Sequence, residues 1–311
     1  MAVVFASLIP VFLLILAGAL LRRLLVPEDG HWIGVERLVY YVLFPALLIQ
    51  TLARADLAAV PAAGMAAALA TAILLMSALC LALRVPLARR LNVDGAAFTS
   101  MFQGATRWQT FVALAVADNL YGTEGLALSA VAVVAMIPLL NVINVWVLAH
   151  FATPRRPDWR AVLLAILKNP LIWACLIGGA LNPVAGFIPA PLTAVLDLLG
   201  RSSLPVGLLL VGSGLNPAAA MRPRAATYIA TSLKLVLMPS LAVAFGVLLG
   251  LDGSSIVVVA CCASVPSASN AYVLARQMGG DAPLMAEILT LQTLVAMVTM
   301  PIAIAAAGTI L

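Results

Sequence analysis

Charge is what this sequence most lacks. Only 9% of its 311 residues are charged, 17 basic and 12 acidic, while 64% are hydrophobic. Soluble globular chains run nearer a quarter charged and half apolar, so no water-facing surface can be built from so few ionic side chains. Histidine occurs only twice, and His31 and His150 have no metal-ligand spacing. The four cysteines, Cys80, Cys175, Cys261 and Cys262, all lie within apolar runs. They read as small buried hydrophobes, not as disulfides or metal ligands. Enzyme signatures are missing too: there is no phosphate loop, no HExxH and no Gly-x-Ser-x-Gly elbow, and Gly212-Ser213-Gly214 is not that elbow. No metal, no cofactor and no enzymatic activity are expected. The excess of basic residues reports topology here, not nucleic-acid binding.

Long apolar runs are what the sequence has instead. The stretches Met1–Leu21, Leu57–Leu83, Gly125–Pro154, Gly253–Ala275 and Ile288–Leu311 carry no charge at all. Each reaches the roughly 20 residues that cross a bilayer's hydrocarbon. The bilayer is therefore the solvent, and only helices or closed barrels can span it. Barrel strands would alternate apolar and polar residues, which these runs do not. The first run has no basic segment before it, is longer than a signal-peptide core and has no clear cleavage site, so it is expected to stay as a helix.

Pro, Gly and charge divide the chain into ten expected spans, roughly 3–23, 33–53, 60–83, 95–118, 123–149, 161–182, 191–215, 224–249, 253–277 and 283–308. The arginines sort by joint. Arg22 and Arg23 follow span 1; Arg84, Arg89 and Arg90 follow span 3; Arg155, Arg156 and Arg160 follow span 5; Arg222 and Arg224 follow span 7; Arg276 lies near the joint after span 9. The other joints are nearly free of basic residues, Arg54 beside Asp56 excepted. Positive joints face the cytoplasm, so both termini are expected on the other side, in a multi-pass protein of the plasma (inner) membrane.

The halves echo each other weakly. Leu43-Phe44-Pro45 in span 2 pairs with Ser203-Leu204-Pro205 in span 7. Gln109-Thr110-Phe111-Val112 in span 4 pairs with Asn270-Ala271-Tyr272-Val273 in span 9, and Pro138 with Pro301. The offsets are 160, 161 and 163 residues. Five spans per half would insert the second half upside down, the plan of many secondary transporters. The expected fold is therefore an all-α integral membrane protein of ten transmembrane helices in two inverted five-helix repeats, residues 1–153 and 154–311.

Such carriers bind at the midplane, where paired helices break and present free N–H groups to anions. Two polar stretches sit mid-span in matching positions: Gln103-Gly104-Ala105-Thr106-Arg107-Trp108-Gln109-Thr110 and Ala263-Ser264-Val265-Pro266-Ser267-Ala268-Ser269-Asn270. Pro266 breaks span 9; in span 4 the break is expected at Gly104. Arg107, an arginine at the bilayer centre, must face a cavity or a partner, and its guanidinium can grip a carboxylate through two hydrogen bonds. The alternative is an arginine that satisfies carbonyls at the break. Asn141 and Asn144 share a face of span 5 and can line a cavity or bond across helices. The expected substrate-binding set is Arg107, Gln109, Thr110, Asn141, Pro266, Ser267, Ser269 and Asn270. Other charges read blandly: Asp197 and Arg201 neutralise each other, Lys234 snorkels (proton coupling being the lesser alternative), and Asp118, Glu124 and Glu287 are solvated.

At these residues the chain resembles the auxin efflux carrier family in its bacterial branch, across nearly its whole length. The resemblance rests on Asn169-Pro170-Leu171-Ile172, Leu204-Pro205-Val206-Gly207, Lys234-Leu235 with Pro239, Ala271 to Asp281, Thr290-Leu291-Gln292-Thr293, Pro138 to Val142 and Arg107-Trp108-Gln109-Thr110. It implies crossed broken helices 4 and 9, and a scaffold of helices 1, 2, 6 and 7 beside a transport unit of helices 3–5 and 8–10. It also implies a homodimer, elevator-type motion, and small organic anions such as dicarboxylates or auxin-like acids as substrate. The family's crossover Asn is Gln109 here, Phe is Trp108, and Asn270 replaces a small residue. A sensor or channel gated by substrate, and a sodium-coupled symporter, are the competing functions.

Overall fold

The computed structural model describes residues 2–56, 60–152, 159–219, 221–251 and 253–310, and among them there is no strand. The helices are α1 (Ala2–Leu24), α2 (Asp29–Leu38), α3 (Phe44–Arg54), α4 (Ala62–Leu91), α5 (Gly95–Thr106), α6 (Thr110–Phe151), α7 (Trp159–Leu167), α8 (Pro170–Leu181), α9 (Ala190–Ser213), α10 (Ala225–Ser232), α11 (Met238–Leu248), α12 (Gly253–Ser264), α13 (Asn270–Met278) and α14 (Ala282–Ala307). Among the described residues, seven helical stretches are long and apolar enough to cross a membrane. The protein is thus an all-helical, multi-pass membrane protein. One stretch, Gly95–Phe151, covers 57 residues, about 85 Å at 1.5 Å per residue. That is far more than one crossing needs. Arg155 and Arg156 lie outside the described residues.

Three departures from the expected spans have backbone causes. α6 is continuous in hydrogen bonding but kinks at Gly122, whose φ of 56° and ψ of −135° only glycine adopts readily. The expected span 6 is interrupted: α7 ends at Leu167, and Asn169 then caps α8, its Oδ1 accepting from Leu171 N at 2.9 Å, with Pro170 in the first turn. Two π-turns interrupt expected continuous helices, Val39–Leu43 between α2 and α3 and Leu233–Leu237 between α10 and α11. Each is followed two residues on by a proline, Pro45 and Pro239. The ring has no N–H to give and would strike the carbonyl four residues back, so the ladder widens by one residue.

Packing groups the helices. α1 lies against α9, and α3 against α8 and α9. The α1–α9 approach depends on two glycines. A methyl group on Gly212 would sit 1.8 Å from Ile15 O, and one on Gly18 would sit 2.0 Å from Leu209 O. Asn182, just past α8, ties that group together by donating to the carbonyls of Leu52, Ala53 and Ala55. α4, α6, α11, α12 and α14 pack on one another, with α5 and α10 against α14. The start of α10 is latched to α14 by Arg224, which pairs with Asp281 at 2.7 Å and Glu287 at 3.0 Å. Glu287 also accepts from Thr227. It is therefore an ion-pair partner at a helix joint and not the solvated acid expected.

Candidate functional site

α5 ends at Thr106, two residues beyond the expected break at Gly104; Gly104 itself is helical. Arg107 turns extended, with φ −67° and ψ 158°, and α6 begins at Thr110. α12 ends at Ser264, two residues before Pro266, and α13 begins at Asn270. A residue preceding proline is pushed out of the α region, which explains a stop at this point. The break in the first half has no proline. It is held by the second: Gln109 N donates to Pro266 O at 2.9 Å.

The two breaks lie directly against each other, and side chains bind them. Ser267 Oγ donates to Gly104 O at 2.7 Å. Ser267 N donates to Gln292 Oε1 at 2.9 Å, and Gln292 Nε2 donates to Gly104 O at 2.9 Å. Arg107 donates through one terminal nitrogen to Asn270 Oδ1 at 2.7 Å, and Gln109 Nε2 donates to Ser269 Oγ at 3.0 Å. Arg107 is 6% exposed and its Nε is buried with no partner. Among the ion pairs of the described residues, none involves Arg107. Neither α6 nor α13 has a side-chain cap at its start. Two helix N-termini without side-chain caps and a guanidinium without a counter-charge therefore converge, a setting that favours an anion.

A cavity of about 380 Å³ opens beside the crossing. Six of the expected residues line it: Arg107, Gln109, Thr110, Asn141, Ser269 and Asn270. Pro266 and Ser267 do not; they hold the backbone crossing. Asn144 is also absent from the lining. It is fully buried, donates to Leu140 O and accepts from Thr106 Oγ1, so it is packing. The opposite wall carries Tyr40, Tyr41 and Asn169, with Glu36 and Arg37 at the rim, while Trp108 and Phe111 add aromatic surface beside Arg107. The sequence reading missed Tyr40, Tyr41 and Phe111. Tyr40 and Tyr41 fall in the π-turn that Pro45 announces. Gln292, the central strut, was legible only as part of a motif.

A second cavity, about 480 Å³, lies further along the same helices. On α3, Leu47, Gln50 and Arg54 line it, and on α6, Ala115 and Asp118 do. Asp118 is therefore at a cavity wall and not at a freely solvated joint. Asp197 and Arg201 pair at 2.8 Å as expected, and Gln50 Nε2 donates to Asp197 at 2.7 Å. Phe111, on the wall of the first cavity, packs on Phe44 with ring centroids 4.7 Å apart and rests 3.2 Å from where a Gly207 side chain would begin.

Lys234 does not snorkel. It is fully buried in the π-turn Leu233–Leu237, and its Nζ has no partner. The four cysteines are buried and free, as expected.

Crossed helix breaks, uncapped N-termini and a buried arginine beside a cavity are the equipment of a helical membrane transporter. The chain belongs to the family described as Membrane transport protein, whose model matches residues 3–304. This is the auxin efflux carrier-like family of the sequence resemblance, a family of transporters and not of enzymes. The chain is also 23% identical over 304 residues to an "Uncharacterized transporter" of Methanothermobacter thermautotrophicus, covering 95% of this chain and 96% of that protein.

Proposed function

We propose that this protein is a secondary carrier of a small organic anion that alternates access around the crossing of α5–α6 with α12–α13. The observation that carries this reading is the Arg107 guanidinium at the crossing, buried without a counter-charge and with its Nε unpartnered, on the wall of the first cavity. A carboxylate bound there would complete the hydrogen bonds that Arg107 lacks. The tyrosines, Trp108 and Phe111 give room for an apolar body beside the carboxylate.

In this reading the chain crosses the membrane ten times, as two inverted repeats of five. The passes are α1, α2–α3, α4, α5 with the first part of α6, the rest of α6, α7–α8, α9, α10–α11, α12–α13 and α14. The arginine-rich joints face the cytoplasm, so the Arg107 cavity opens inward, the second cavity opens outward and both termini lie outside, in the plasma (inner) membrane. The group formed by α1, α2–α3, α7–α8 and α9 is the scaffold and the source of a homodimer contact. The remaining helices move against it as an elevator. The packing of α4, α6, α11, α12 and α14 on one another supports that division.

Counterflow of labelled malonate and benzoate in proteoliposomes tests the carrier. Trans-acceleration is expected; its absence with intact downhill flux would indicate a channel. Arg107→Ala is expected to lower uptake at least 100-fold while the protein stays folded in the membrane. Uptake at the wild-type rate would remove Arg107 from the site.

A further inference from the structure

Lys234 is a buried amine without a job in the site described above. Its exposure is zero and its Nζ meets no hydrogen-bond acceptor. The π-turn that holds it packs against α5, α10, α11, α12 and α14. Four of these helices, α5, α10, α11 and α12, contain no acidic or basic residue. The only acid in α14 is Glu287, already engaged by Arg224 and Thr227. Arg224 precedes α10 and is engaged in return. The titratable group that does face the amine is the Cys262 thiol of α12; Cys261 turns instead to Ala113 O, and Tyr228 of α10 is exposed.

The surroundings are polar yet unsatisfied. Thr231 Oγ1, three residues before Lys234, is buried without a partner, and Ser129 Oγ has no partner but the Cys262 thiol. Orphaned polar atoms in a protein interior are rare and demand a cause. Here they cluster around an amine in a π-turn, a feature frequent at functional sites. The same stretch of helix touches the crossing. Ala230 O, one turn before Lys234, is 3.4 Å from Gln292 Nε2, the strut that also bonds Gly104 and Ser267.

We propose that Lys234 is a proton-binding site whose occupancy is linked to the anion at the Arg107 crossing. The inference rests on the carrier reading. As the carboxylate binds, a proton from water forms a bond with the Nζ lone pair; as the carboxylate leaves on the other side, that N–H bond breaks and the proton returns to water. No electrons change hands. Arg107 keeps its charge throughout, so a monocarboxylate and a proton enter together and the charge of the moving unit is the same loaded and empty. Carrying an unbalanced charge through a low-dielectric interior is costly, and charges in such an interior sense each other without touching.

Calorimetric titration with malonate and benzoate, in buffers of differing ionisation enthalpy, counts protons taken up per anion bound. Wild type is expected to take up as much as one. Lys234→Met, which retains the shape without the amine, and Lys234→Arg, which retains the charge without releasing it, are expected to take up none. Their affinities should stay flat from pH 6 to 9, where wild-type affinity changes by up to about tenfold per pH unit, the linkage of one proton. In liposomes loaded with a pH-sensitive dye, anion entry should change the internal pH for wild type alone. Equal proton uptake by wild type and Lys234→Met overturns the Lys234 assignment and leaves the carrier standing. Failure of both probes to bind wild type refutes the carrier reading itself, and this inference with it.

Discussion

Gln292 is the strut on which the crossing hangs, and replacing it with methionine tests that directly. The side chain is fully buried. Its Oε1 accepts from Ser267 N at 2.9 Å and its Nε2 donates to Gly104 O at 2.9 Å. Methionine fills a similar volume but supplies neither bond. Ser267 N is then a buried donor with no acceptor, which costs about 1–3 kcal/mol. Gly104 O still receives the Ser267 hydroxyl, so its loss is nearer the net worth of one hydrogen bond, about 1 kcal/mol. The sum is about 2–4 kcal/mol. For a chain of this size that lowers Tm by roughly 3–6 °C. The four cysteines are all buried, so a thiol-reactive fluorophore added to detergent-solubilised protein reports unfolding during a melt. Gln292→Glu offers a second test. A carboxylate keeps the Ser267 bond but places an acceptor against the Gly104 carbonyl, so it should melt no higher than Gln292→Met at neutral pH. Thr293→Val is the control, since that hydroxyl bonds only Leu289 O within its own helix. If Gln292→Met melts within about 1 °C of wild type, or no lower than Thr293→Val, the crossing does not depend on this strut.

Two further outcomes follow from the packing. Gly212→Val places a side chain where Ile15 O lies 1.8 Å from the first added carbon; α1 must leave α9, and loss of the monodisperse peak in size-exclusion chromatography is expected, whereas a normal profile would show that the contact yields. Phe111→Ala removes one ring of the 4.7 Å pair on the wall of the first cavity; if that pair is the barrier to passage, leak of a trapped carboxylate from proteoliposomes should rise several-fold without trans-acceleration, and an unchanged leak would place the barrier elsewhere.

Much of the architecture was legible because the bilayer imposes simple rules. Uncharged runs of sufficient length had to be helices, and Pro266 had to stop one of them. The break at Arg107–Gln109 was displaced from the expected Gly104 because no local residue causes it: Gln109 N finds Pro266 O from the other half of the chain, 157 positions away in number. Lys234 was misread for a related reason. Its distance from the joint that carries Arg222 and Arg224 permits snorkelling, but the π-turn caused by Pro239 and the surrounding helices close the route. Glu287 was read as solvated until the fold brought Arg224 against it.

By itself, then, the sequence determined the solvent, the helical class, the positive joints and the pair of polar mid-span stretches, because hydrophobic length, charge placement and proline act locally along the chain. Tertiary structure alone decided which residues meet. It set Arg107 against Asn270, made Pro266 and Ser267 into backbone supports and left Asn144 in the packing. It gave Arg107 no counter-charge and sealed the Lys234 amine near the orphaned Thr231 hydroxyl. Those outcomes depend on hydrogen bonds and close contacts between helices far apart in the chain, and no local pattern encodes which partner a buried polar group will find.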